Sequence, residues 1–181
     1  NTGRYDVKLM AQRWGSTAWG FCKDHPEWSY LYDHKLPNNK LTAKPDIWMQ
    51  ITIPNEFQPV GEYNIGCTAG IESNLCKPEW LEGLNRMNMN WVSSNFSKQT
   101  FESTKYERKN KQTDKIEGYI QLQKPIEVVF EGANLDVYKH LTSKEIKTIN
   151  LDTIKESFCF LFVWHWMTGS FGHDRKNVGK L

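Results

Sequence analysis

At 181 residues, 39 % apolar and 24 % charged, the chain has the make-up of one ordinary globular domain, or of one domain with part of another. A net charge of +2 excludes the strong positive field of a nucleic-acid or polyanion binder. No run of about 18 apolar residues marks a membrane span, and the first residues carry no apolar leader. Cys22, Cys67, Cys76 and Cys159 form no Cys-x-x-Cys pair, so neither zinc nor disulfide-exchange chemistry is signalled, and their sparse spacing suits reduced thiols in the cytoplasm. Aromatic residues reach 13 %, with eight Trp, a supply equally suited to sugar stacking and to a core.

In chain order, Tyr5 to Ala11 reads as a short strand. The loop after it carries Arg13, Trp14 and Trp19 between Gly15 and Gly20, and could stack on a sugar or pack internally. Pro26 to Asp33 suits a turn or two of helix. Ile47 to Ile53 is nearly all apolar and predicts a buried parallel strand, closed by Pro54, which has no N–H to give the ladder. Tyr63 to Thr68 is the next strand. Pro78 opens a helix running to Met87, with Glu79 and Glu82 placed favourably for its dipole and Trp80, Leu81, Leu84 and Met87 at helical spacing. A strand at Asn90 to Val92 leads into Ser93 and Ser94, good N-caps for a helix over Asn95 to Glu102. Thr104 to Lys115 is charged and weakly patterned, and reads as a surface loop. Ile126 to Phe130 predicts another buried strand, Val137 to Lys155 a linker with one or two short helices, and Ser157 to Trp164 a last strand. Strands alternating with helices at this pace predict an α/β fold, a parallel sheet with helices on both faces.

In such sheets ligands bind at the carboxyl ends of the strands, which makes the polar turns there the candidate site. Glu72 follows the strand at 63–68 among small residues, where a carboxylate can orient a hydroxyl or accept a proton; a local cap is the plainer role. Asn55 and Glu56, with Gln58, form a polar cluster after the preceding strand, suited to sugar hydroxyls or to capping a turn. Ser93 and Ser94, with Ser97, mark a helix N-terminus, suited to an acceptor phosphate or to simple capping. Glu131 and Asn134 follow a further strand. The five His show no metal-ligand spacing, and no metal or other cofactor is expected.

The run Ile71-Glu72-Ser73, then Pro78-Glu79-Trp80, Leu84-Asn85-Arg86-Met87 and Ser93-Ser94-Asn95-Phe96-Ser97, resembles the acceptor-side domain of retaining glycosyltransferases of the GT-B fold, the group 1 or family 4-like enzymes. The tail from Phe158 to Lys180 is similar to the first strand and loop of their donor domain. The resemblance implies a Rossmann-like N-terminal domain over 1–155, with its first strand missing, and the start of a donor-binding domain over 156–181. Both termini then read as cuts through a longer frame. It further implies transfer of a sugar from a nucleotide-sugar donor to a glycan, lipid or other hydroxyl acceptor, without metal. Glu72 takes a catalytic place, Asn55, Glu56, Ser93 and Ser94 acceptor-side places, and Arg175, Lys176 and His165 the donor diphosphate. Trp164 stands where the family usually has Gly.

The transferase reading carries expectations of its own: an isolated chain inactive by itself, peripheral membrane association of the full enzyme, no nucleic-acid partner, and homo-oligomerisation of the fragment through an exposed edge. A second reading is a non-catalytic sugar- or nucleotide-binding module of the same architecture. A third, a dinucleotide-dependent oxidoreductase, lacks a Gly-x-Gly-x-x-Gly turn after a strand.

Overall fold

Four short runs, each bounded by turn residues, lie side by side in the computed structural model, which describes residues 3–12, 24–146 and 153–161. They are β1 (Ile47–Ile51), β2 (Tyr63–Thr68), β3 (Met89–Val92) and β6 (Ile126–Val128), all parallel and in the order β1-β2-β3-β6. Between β3 and β6 the chain makes an antiparallel hairpin of β4 (Lys105–Lys109) and β5 (Ile116–Gln121). Helix α1 (Pro78–Asn85) joins β2 to β3, and α2 (Asn95–Ser103) follows β3. The fold is therefore mixed α/β with a parallel sheet. Two units divide it, Asn1–Gly132 and Ala133–Leu181.

Strand order and packing are linked in the first unit. Order follows sequence without reversal, and strand–crossover–parallel-strand connections are almost always right-handed. Successive connections in one direction therefore fall on one face. Register places Trp48, Gln50, Asn64, Gly66, Thr68, Asn90, Val92, Ile126 and Val128 on that face. Against it pack Phe57, Leu81, Leu84, Met87 and Phe101, which with Val92 and Ile126 form the buried core. The opposite face carries Ile47, Met49, Ile51, Tyr63, Ile65, Cys67, Met89 and Trp91. At the β1 side it is open: Ile47 is 56 % and Ile51 62 % exposed. Among the described residues helices cover one face, where two were expected, because the strand order never doubles back.

The β1–β2 connection has no helix. Pro54–Glu56 is a single 3-10 turn, and Phe57, fully buried, fills the space a crossover helix would take. Its ring sits so close over Gly66 that a Cβ there would lie 2.4 Å from Phe57 Cε2. Helix α1 begins at Pro78, where a missing N–H costs nothing. It presses on the turn at Gly83, whose Cβ would meet Pro54 O at 1.8 Å. At the amino ends of the strands Asn64 takes the N–H of Gly61 at 2.8 Å, and Asn88 Oδ1 takes the N–H of Asn64 at 2.9 Å.

Three further expectations are corrected in the first unit. Residues 105–109 are a strand, not loop: Tyr106, Ile120 and Leu122 lean on the core, and Tyr106 Oη donates to Cys76 O at 2.6 Å. Tyr5 to Ala11 is no strand; among the described residues only Leu9 bridges, to Lys35, and the segment is held by Asn39, whose side chain bonds Ala11 N and Ala11 O at 2.7 and 2.6 Å. The strand at 47–51 is parallel as expected, but it forms the sheet's edge and is half-exposed instead of buried. Helical turns at Pro26–Leu31 and the strands and helices at 63–68, 78–85, 89–92 and 95–103 lie where the pattern puts them.

In the second unit, α3 (Ser143–Ile146) is one turn started by a capping box. Glu145 N donates to Thr142 Oγ1 at 3.3 Å and Thr142 N donates to the Glu145 carboxylate at 2.8 Å. The Thr142 hydroxyl, which donates to the Glu145 carboxylate at 2.7 Å, and after it the Thr142 N–H hold that carboxyl below the usual carboxylate range. Residues 157–161, expected as the start of a strand, are not in one, and Phe160 is 90 % exposed.

Candidate functional site

Because the four strands are parallel, their carboxyl ends share one rim. It receives Thr52 to Glu56 after β1, Ala69 to Ser73 after β2, Ser93 and Ser94 after β3, and Val129 to Glu131 after β6. Backbone contacts knit these turns together. Thr52 N donates to Cys67 O at 3.1 Å and Val129 N to Val92 O at 2.9 Å. Ser93 Oγ donates to Ala69 O at 2.8 Å, tying the end of β3 to the end of β2.

The first turn positions Glu56. Its carboxylate accepts from Thr52 Oγ1, and its carbonyl accepts from Gln50 Nε2 at 3.0 Å. The same turn is clamped from α1, where Arg86 Nη2 donates to Asn55 O and Arg86 Nε to Phe57 O, each at 2.8 Å. The Asn55 and Glu56 side chains are exposed. Four hydrogen bonds to backbone or side chain thus fix this corner before any ligand arrives.

The second turn positions Glu72. Gly70 has φ +96, a conformation that suits glycine. A Cβ there would fall 2.0 Å from Ser97 Oγ, so the loop lies directly on the first turn of α2. Ile71 N donates to Ser97 Oγ at 3.4 Å, and Thr100 Oγ1 donates to Ser73 O at 3.4 Å. Glu72 sits exposed between these two anchors.

Ser94 is the N-cap of α2: its Oγ accepts from Ser97 N at 3.1 Å and donates to Ser97 Oγ at 3.1 Å. Ser93 is committed to Ala69. Both serines therefore serve the fold first, and the α2 N-terminus spends at least one of its free N–H groups internally.

Two features went unread in the sequence. Cys67, on the open face near the carboxyl end of β2, has its thiol pushed up by burial and secondarily by the Glu131 carboxylate. Glu131 is thereby placed within electrostatic reach of the β2 end. Gly70 is the second; only the three-dimensional approach of Ser97 reveals why glycine stands there. Cys76, on the covered side, is also pushed up by burial, against weaker opposing hydrogen bonds. Cys67, Cys76 and Cys159 are all free thiols.

Chemically the rim is one-sided. Its turns contribute three carboxylates, from Glu56, Glu72 and Glu131, with the hydroxyls of Thr52, Ser73, Ser93 and Ser94, and no Lys or Arg. Such a set suits partners that donate hydrogen bonds, not anions. Among the described residues no cluster of three or more His, Cys, Asp or Glu is arranged to hold a metal ion. No helix among them is long and apolar enough to cross a membrane. Two shallow grooves lie elsewhere. One of about 320 Å³ runs between α1 and the hairpin, lined by Glu82, Arg86, Arg108 and Gln121 among others. The other, of about 440 Å³, lies between α2 and the start of β6. Arg175, Lys176, His165, Trp164, Arg13, Trp14 and Trp19 lie outside the described residues.

Compared with known proteins, the chain matches no family model, no curated protein and no solved structure.

Proposed function

We propose that the carboxyl rim of the sheet is the acceptor-side half of a glycosyl-transfer cleft, holding a hydroxyl-rich acceptor for a sugar delivered from a nucleotide-sugar donor. The observation that carries the reading is the rim's composition: carboxylates and hydroxyls on turns that carry no Lys or Arg of their own, with the Arg86 guanidinium beside the first turn engaged by the Asn55 and Phe57 carbonyls. Sugar hydroxyls donate to carboxylates and share hydrogen bonds with Ser and Thr. Phosphates would be repelled. Glu72 is the residue assigned to orient or deprotonate the acceptor hydroxyl. Asn55 and Glu56 hold neighbouring hydroxyls from the adjacent corner. The donor diphosphate needs positive charge, and the reading gives that role to Arg175 and Lys176, with His165 beside them. In this reading the sheet is Rossmann-like, the acceptor-side domain of a GT-B enzyme, located in the cytoplasm.

The test is titration of the isotopically labelled chain with mono- and disaccharides, followed by NMR. Shifts confined to Thr52, Glu56, Gly70 to Ser73 and Ser93 are expected, weakened at least roughly tenfold by Glu72→Gln. Absence of any sugar-induced shift, or shifts confined to the α1–hairpin groove, would sink the proposal.

One observation favours the second reading, a binding module without catalysis. Ser93 and Ser94 are already committed to Ala69 and Ser97, which leaves the α2 N-terminus poorly set to stabilise a departing anion. Binding of sugar with no transfer from any nucleotide sugar, even with the flanking coding sequence restored, would select it.

A further inference from the structure

β1 is the outermost strand of the sheet, and the backbone contacts show which of its polar groups are in use. Asp46 O accepts from Tyr63 N at 2.9 Å, and Thr52 N donates to Cys67 O at 3.1 Å. Even-numbered residues therefore turn their backbone groups toward β2, and the odd-numbered residues turn theirs outward. The N–H and C=O of Ile47, Met49 and Ile51 point away from the sheet, and none has a hydrogen-bond partner among the described residues. Their side chains line the open face, exposed by 56, 43 and 62 %.

Edge strands are ordinarily kept from pairing by a charge, a proline or a bulge. Ile47-Trp48-Met49-Gln50-Ile51 has none of these, and Pro45 and Pro54 stand just outside it. The sequence is also self-complementary. With Met49 opposite Met49 in an antiparallel pair, Ile47 lies opposite Ile51 and Trp48 opposite Gln50. Every outward-facing residue then meets another outward-facing residue, so each is a hydrogen-bonded pair. A slip of one residue would set outward groups against residues already bonded to β2. In the matched register the apolar side chains of both copies stand together on one face, and no like charges meet.

We propose that the chain pairs with a second copy of itself by antiparallel addition of β1 to β1, joining two four-stranded sheets across a twofold axis. The interface is isologous, with Met49 on the axis. It is independent of the sugar-binding reading, since the rim residues are not part of it.

Sedimentation equilibrium of the whole chain tests the assembly, and cysteine crosslinking tests the register. A reversible dimer is expected, with a dissociation constant raised roughly tenfold or more by Met49→Lys, which sets two ammonium groups face to face. Circular dichroism checks that this variant keeps its fold. In a Cys22→Ser, Cys159→Ser background, Met49→Cys should crosslink under mild oxidation, because hydrogen-bonded antiparallel partners have Cα atoms about 5.5 Å apart, within disulfide reach. Ile47→Cys alone should not, since its own counterpart lies far along the strand. A monomer at every concentration, a dimer indifferent to Met49→Lys, or crosslinking through Ile47→Cys in preference to Met49→Cys overturns the proposal. Capture of a strand from a different protein, with no self-association, overturns it equally.

Discussion

On one face of the parallel sheet Phe57, Leu81, Leu84, Met87 and Phe101 close over Val92 and Ile126; on the other Ile47, Met49, Ile51 and Tyr63 stand open among the described residues. Strand hydrophobicity does not separate them, for Met49 and Ile51 are as apolar as Val92. Connections do. A winding that never reverses delivers every crossover to one side, so half of the apolar surface of the strands is left for something other than their own helices.

The comparison can be broken most directly by truncation. Phe101→Ala or Leu84→Ala should cost about 2–5 kcal/mol in urea unfolding, because each leaves a cavity in a fully buried cluster. Ile51→Ala should cost less than about 1 kcal/mol, since most of that side chain is already in water. Equal losses would mean the open face is covered in solution. Next in size is Gly83→Ala. Alanine is the better helix former by about 1 kcal/mol, yet its Cβ would strike Pro54 O, and a net loss of about 1–3 kcal/mol is expected. A stabilised variant would show that α1 and the 54–56 turn are not in contact. Ser94→Ala should remove about 1 kcal/mol, the ordinary worth of an N-cap, with α2 fraying first in hydrogen exchange.

The smallest effect concerns pH and sharpens the contrast between faces. Burial raises the thiols of Cys67 and Cys76 above their usual value of 9.0. The folded chain therefore holds these protons more tightly than the unfolded one. That contribution is complete below the ordinary thiol range and is lost as pH rises through the raised values. The urea midpoint should fall above about pH 9, and Cys67→Ser with Cys76→Ser should flatten the fall. Alkylation should reach Cys67, on the open face, before Cys76, which is buried against Thr104 and Tyr106.

Much of the covered face is legible in the sequence because its signals are local. Pro78 starts α1 and Ser94 caps α2 within three or four residues of the groups they serve. The rim is legible too, since parallel strands put their carboxyl ends together wherever the pattern repeats. What escapes is decided at a distance. Lys105-Tyr106-Glu107-Arg108-Lys109 looks like solvent-loving loop because only Tyr106 turns inward, and its partner Ile120 is fourteen residues on. Tyr5 to Ala11 has strand-like alternation, but among the described residues it has no neighbouring strand to pair with beyond Leu9. The serines of the rim advertise ligand contacts; Ser94's cap on Ser97 is local, but the commitment of Ser93 to Ala69 depends on how the end of β3 meets the end of β2. The edge position of β1 rests on strand order, which hydrophobic runs do not encode.

The hairpin lodged between β3 and β6 also sets a timetable. β1, β2 and β3 can zip through short excursions, the longest of which is the α1 crossover. Pairing of Val92 with Val128 must wait until α2 and the whole of β4–β5 have been reeled in, a closure whose entropic toll rises with the length of the loop. In refolding, amide protection at Val129, which bonds Val92 across that gap, should be the last to arrive, making the sheet's shortest strand its clock.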